Sequence, residues 1–157
     1  MLIQDIKPDS NFPEDLEGSL FFPLFNKKIK VVGFKPDNIE YANQCAMLLT
    51  ELDDSVVKQL CLASIRYCNA SLAAVDEEQY TFDTERDVLA MIDPRFLLID
   101  QNETRPAIHM ELRCDWEEEH GMEWAIRDGK VVYVSSYNGI NPFNDFTEKD
   151  DWNFAQE

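Results

Sequence analysis

Met122-Glu123-Trp124-Ala125-Ile126-Arg127-Asp128-Gly129-Lys130-Val131-Val132-Tyr133-Val134-Ser135 reads as two β-strands joined by a two-residue turn, and it decides the fold class. A type I′ turn needs positive φ at both central positions, and Asp128-Gly129 supplies residues that tolerate it. Counting back from the turn, Trp124 faces Tyr133 and Ile126 faces Val131, and these pairs are expected to form the buried face. Upstream, Ile108, Met110, Leu112 and Cys114 alternate with His109, Glu111 and Arg113, the period of a half-buried strand. Together these segments predict a C-terminal antiparallel meander.

The first half reads differently. Residues 1–16 carry Pro8 and Pro13 without a period and are expected to form an N-terminal arm. Ser19 to Phe25, Asn26-Lys27 and Lys28 to Phe34 read as a hairpin whose first strand is at an edge or bulged at Pro23, which cannot donate to a ladder. Asp37 and Glu40 have capping-box spacing, and Ile39, Ala42, Cys45, Ala46, Leu49 and Leu52 then repeat at helical intervals. Asp53-Asp54-Ser55 breaks that helix and caps a second, with Val56, Leu60, Ala63 and Tyr67 on one face. Residues 69–83 read as a loop. A third helix runs roughly from Thr84 to Ile92 and stops before Asp93-Pro94, and Phe96 to Ile99 reads as a short strand. The expected fold is α+β within one domain spanning 1–157. A mostly antiparallel sheet, N-terminal hairpin plus C-terminal meander, carries two or three helices on one face. An acidic tail, 144–157, folds back or stays mobile.

Composition bounds the function. The chain has 157 residues, with 31 Asp and Glu against 14 Lys and Arg, a net charge of −17. Nucleic acid and anionic membrane both demand a cationic face, so neither is an expected partner. A basic protein is. The N-terminus lacks a signal-peptide pattern and no window has membrane-span hydropathy. Cys45, Cys61, Cys68 and Cys114 follow no metal-ligand spacing and read as buried thiols of a reducing compartment, the cytoplasm.

The chemically richest run is Cys114 to Trp124, with five carboxylates, one histidine and two tryptophans. Asp115, Glu117, Glu119, His120 and Glu123 offer hard ligands for a divalent ion, which makes a metal-assisted hydrolase the enzymatic alternative. The spacing matches neither an EF-hand nor a zinc-protease helix. His109 and His120 are the only histidines, and either could meet a carboxylate in space. No serine or cysteine stands in a nucleophile context. No cofactor, metal or catalytic residue is assigned. A structural reading makes the run a turn in which Trp116 plugs the core, His120 hydrogen-bonds locally and Gly121 takes a conformation other residues resist. Residues 111–157 hold twelve acids against four bases. If they share one side of the sheet, they form a negative face punctuated by Trp116, Tyr137, Phe143 and Trp152, suited to rapid capture of a basic protein. The expected partner-binding residues are Asp115, Trp116, Glu117, Glu118, Glu119, Tyr137 and Trp152.

The stretch Cys114 to Val131 resembles a bacterial family of unknown function whose members carry a Trp-acid-x-Glu-His-Gly signature, then a strand and an Asp-Gly or Asn-Gly turn. Gly18 to Phe25 and the helices from Ala46 to Tyr67 are similar to that family's first half. Ser135-Ser136 stands where the family pattern has a glycine. Such proteins are encoded near polymorphic toxin or contact-dependent inhibition loci and are suspected immunity proteins. The resemblance implies a cytoplasmic antitoxin that neutralises a cognate toxin by binding; joined to the acidic composition, the expected protein is non-enzymatic, monomeric or homodimeric, and its partner a basic toxin such as a nuclease. An adaptor module without a toxin partner is the remaining alternative.

Overall fold

The computed structural model describes residues 1–100 and 105–157 and sets seven strands in one sheet whose spatial order is their chain order. They are β1 (Gln4–Pro8), β2 (Leu16–Phe22), β3 (Lys27–Phe34), β4 (Ile92–Leu98), β5 (Ile108–Cys114), β6 (Glu117–Arg127) and β7 (Lys130–Ser135). All neighbours are antiparallel except β3 and β4. A parallel step needs a long crossover, and α1 (Ile39–Thr50), α2 (Asp54–Ala74) and a 3₁₀ segment, Glu85–Met91, supply it. The architecture is the α+β arrangement the sequence predicts, with its two halves joined through this central parallel pair.

Alternation along each strand separates two faces. Phe22, Val31, Leu97, Met110, Leu112, Met122 and Trp124 point towards the helices and are at most 1% exposed. Burying each such side chain contributes about 1.5–3 kcal/mol. α1 lies over β2 and β5, while α2 lies against β7 and the 3₁₀ segment. The Trp124 indole N–H donates to Ser64 Oγ of α2 at 3.1 Å, which removes the cost of burying it unpaired. Among the described residues no helix is long and apolar enough to cross a membrane.

Several local expectations are corrected. Asp128 (φ 54°) and Gly129 (φ 74°) form the expected turn. However, β7 carries an extra residue, Val132, between its pairs with Ile126 and Ala125. Trp124 therefore pairs with Val134, and Tyr133 pairs with Ala125 on the face away from the helices. The 1–16 arm contains β1, an exposed edge strand too polar to show a hydrophobic period. The N-terminal hairpin is broken by a 3₁₀ turn, Pro23–Phe25, because Pro23 cannot extend the ladder. At α1, Asn38 Oδ1 accepts the Lys35 N–H in place of an Asp37–Glu40 box. The Asp53 cap of α2 forms, accepting the Val56 N–H at 2.9 Å. α2 continues to Ala74 because Leu72 is buried, so the loop begins six residues later than its polarity implied. The third helix is 3₁₀ over Glu85–Met91, and Ile92 already belongs to β4.

The tail runs along the outer edge of β7. Asn153 is 3% exposed, donates its amide to Val132 O at 2.9 Å and accepts the Val134 N–H at 3.3 Å. The Phe154 N–H then donates to Val134 O at 2.9 Å. An edge strand with free amides invites pairing with other chains, and the tail occupies those groups.

Candidate functional site

The acidic run is a bulge held in the ladder. Cys114 pairs with Glu117 and Leu112 with Met122, so Glu118, Glu119, His120 and Gly121 stand opposite Arg113 alone. Gly121 makes this possible: its φ is +69°, and a Cβ there would lie 2.5 Å from Leu112 O. Glu117 closes the bulge from within. Its Oε1 accepts the N–H groups of Glu119 (3.0 Å) and His120 (3.3 Å), and its Oε2 meets His120 Nδ1 at 2.8 Å. Burial alone would raise the Glu117 carboxyl, but these partners outweigh it and hold it below the ordinary carboxylate value. The same bond and charge raise His120 above a free imidazole.

Asp115, Glu118 and Glu119 differ from Glu117. They are exposed, and their carboxylates have no hydrogen bond or ion pair among the described residues. Beside them opens a cleft of about 510 Å³ floored by Ala90, Met91 and Ile92, with Asp93 and Arg113 on its walls. Trp116 is partly buried, its ring edge-on to Tyr67 at 5.7 Å. Tyr67 stacks on Phe154 at 5.5 Å, and Phe154 meets Trp152 at 5.5 Å. This row of rings links the bulge to Trp152, which is 53% exposed.

Tyr137 lies apart, on the face opposite the helices, where burial and the charges of Glu111, Glu123 and Asp100 raise its phenol. Phe143 is there too, under the Arg105 guanidinium at 5.1 Å. The predicted binding residues thus divide: Asp115 to Glu119 form the bulge, Trp152 stands three ring contacts away from Trp116, and Tyr137 does not join them.

Glu123 is also separated from the bulge. Its cross-strand partner is Glu111; it is fully buried and bonds His109 Nε2 at 2.5 Å. Its oxygens also accept the N–H groups of Asn138 (3.0 Å) and Ile140 (3.1 Å). His109 Nδ1 is 3.6 Å from Asp100 Oδ2, a charge contact longer than a hydrogen bond. Burial works to lower the imidazole, but the Asp100 and Glu123 carboxylates outweigh it and push His109 up to about 9. At neutral pH this is a buried imidazolium between two carboxylates, and the Glu123 carboxylate it pairs with clasps the segment after β7 onto the sheet. Arg127 assists, donating to Pro142 O (2.9 Å) and Asn144 O (2.8 Å).

This division removes the ligand set considered for a metal, since Glu123 turns to the clasp and Glu117 to its own bulge. Among the described residues no three His, Cys, Asp or Glu side chains are placed to hold an ion. All four cysteines are buried and unpaired with one another, and burial pushes their thiols up to about 11 or 12, which makes them poor nucleophiles. The clasp is what the sequence reading missed. A signal existed: the hairpin places two carboxylates, Glu111 and Glu123, directly opposite, a destabilising pair unless a cation stands nearby.

No curated protein and no solved structure matches this chain. Residues 2–142 match a domain family of unknown function, DUF6985. The chain belongs to that family.

Proposed function

We propose that this protein is a binding protein that neutralises a basic protein partner, acting as the immunity protein of a bacterial toxin. The observation that carries this reading is the bulge. It holds Asp115, Glu118 and Glu119 in solvent with no hydrogen bond or ion pair to their carboxylates among the described residues, on a frame made rigid by Glu117 and Gly121. Carboxylates presented this way attract a cationic surface at long range and keep their charge for it on contact. Trp152 supplies an exposed aromatic at the far end of the ring row that starts at Trp116, the kind of anchor that slows dissociation. Four buried thiols without a disulfide accord with a reducing compartment, the cytoplasm, where such a protein would meet an incoming or newly made toxin.

The experiment is co-purification of the tagged chain from its source cell at low and at moderate salt. The reading expects one stoichiometric basic protein, retained at moderate salt because aromatic burial adds to charge. Recovery of only a salt-labile mixture from cells shown to express their toxins would refute it.

A further inference from the structure

Along β5, Glu111 lies two residues before Arg113 and on the same face of the sheet, so it stands inward from the acidic bulge. It lines a groove of about 360 Å³ with Val32, Phe96, Leu98 and Phe12. Phe96 is its cross-strand neighbour, and Phe12 on the rim is 67% exposed. Three carboxylates and no cation line the groove. Two of them are already met. Asp9 Oδ1 accepts the N–H groups of Asn11 (2.8 Å) and Phe12 (3.2 Å), and Asp15 pairs with Lys35 at 2.7 Å. The half-buried Glu111 carboxylate has no hydrogen bond or ion pair among the described residues. Burial raises its carboxyl and the charge of Glu123 raises it further, outweighing the opposite pull of His109, Arg113 and Arg95, none of which hydrogen-bonds or ion-pairs with it.

An unpartnered carboxylate on an apolar floor is costly by itself and gains most from an arriving cation. One free carboxylate is too few for a metal ion. We infer that the groove receives an arginine side chain of a protein partner, its guanidinium on Glu111 and its methylenes against Phe96 and Leu98. Arginine fits better than lysine because its planar head pairs a carboxylate through two N–H groups and stacks on the Phe rings. The inference rests on the binding reading for the presence of a protein partner and names the chemistry that partner presents at a second point of contact.

The test is an NMR titration of the full-length, ¹⁵N-labelled chain with Nα-acetyl-arginine methylamide. The matching citrulline compound, of the same shape without charge, serves as control, and Glu111→Gln is run beside wild type. The expected result is saturable shifts of the Val32, Phe96 and Leu98 amides with the arginine compound. Binding should be about tenfold weaker for citrulline and for Glu111→Gln. The citrulline comparison uses wild-type protein and does not depend on the variant folding. Equal response to both compounds, no saturable response at these amides, or affinity unchanged by Glu111→Gln would overturn the inference. Such a failure leaves the proposed function to its own co-purification test. Conversely, a positive titration stands even where no partner is recovered.

Discussion

The buried imidazolium makes stability fall with rising pH. His109 is pushed from 6.5 up to about 9 by Asp100 and Glu123 despite its burial. A group whose folded value lies above its unfolded value stabilises fully below the unfolded value, and the contribution is lost as pH rises through the folded one. Each unit of difference is worth about 1.36 kcal/mol, so on the order of 3 kcal/mol present at pH 6 should be gone above pH 9. For a domain of this size that corresponds to roughly 6–12 °C in Tm. Among the described residues, Glu111 also acts on the imidazole, and Tyr137 stands near the same carboxylates. Tyr137 is held above its ordinary value, so it stays neutral in this window. The assay is urea unfolding by far-UV circular dichroism at intervals from pH 6 to 9.5, for wild type and for His109→Gln. The Gln amide can still donate to Glu123 but cannot titrate. Wild type should lose stability across that range, whereas the variant starts lower and stays nearly flat over it. Parallel curves for the two proteins would refute the assignment of charge to His109.

Further outcomes follow from the same geometry. Gly121→Ala forces a Cβ towards Leu112 O at positive φ and should cost about 2 kcal/mol or more in urea unfolding. Asn153→Ala removes both side-chain bonds to the β7 edge. It should cost about 1–3 kcal/mol and promote self-association visible by light scattering. The double variant Glu118→Lys/Glu119→Lys changes only exposed side chains and should melt within about 1 kcal/mol of wild type. Glu117→Gln, which weakens the bulge closure, should melt lower than that double variant.

The parts of this fold legible in the sequence are those governed by local chemistry. Asp128-Gly129 specifies its turn, the alternation from Ile108 to Cys114 specifies β5, and Asp53 specifies the start of α2. The parts that were not legible depend on partners far away in the chain. β1 has no apolar period because its role is to pair with β2 at an edge. Val132 bulges where nothing in its own neighbourhood asks for it, and that one residue moves Tyr133 to the other face. The candidate site divides in the same way. Gly121 and His120 could be read as turn residues because their partners are within a few positions. The clasp joins His109, Glu123 and the amides of Asn138 and Ile140, which only the completed meander brings together. Glu117 and Glu123 belong to one acidic run in the sequence but serve different structures, one closing a bulge and the other holding a loop.

The central claim is that the free carboxylates of the bulge bind a basic protein. Its most direct test is the dissociation constant of the co-purified partner, measured by isothermal titration with wild type and with Glu118→Lys/Glu119→Lys at two salt concentrations. The account predicts at least a tenfold loss of affinity in the double variant and a weaker salt dependence than wild type. Equal affinity in a double variant that melts like wild type would contradict it.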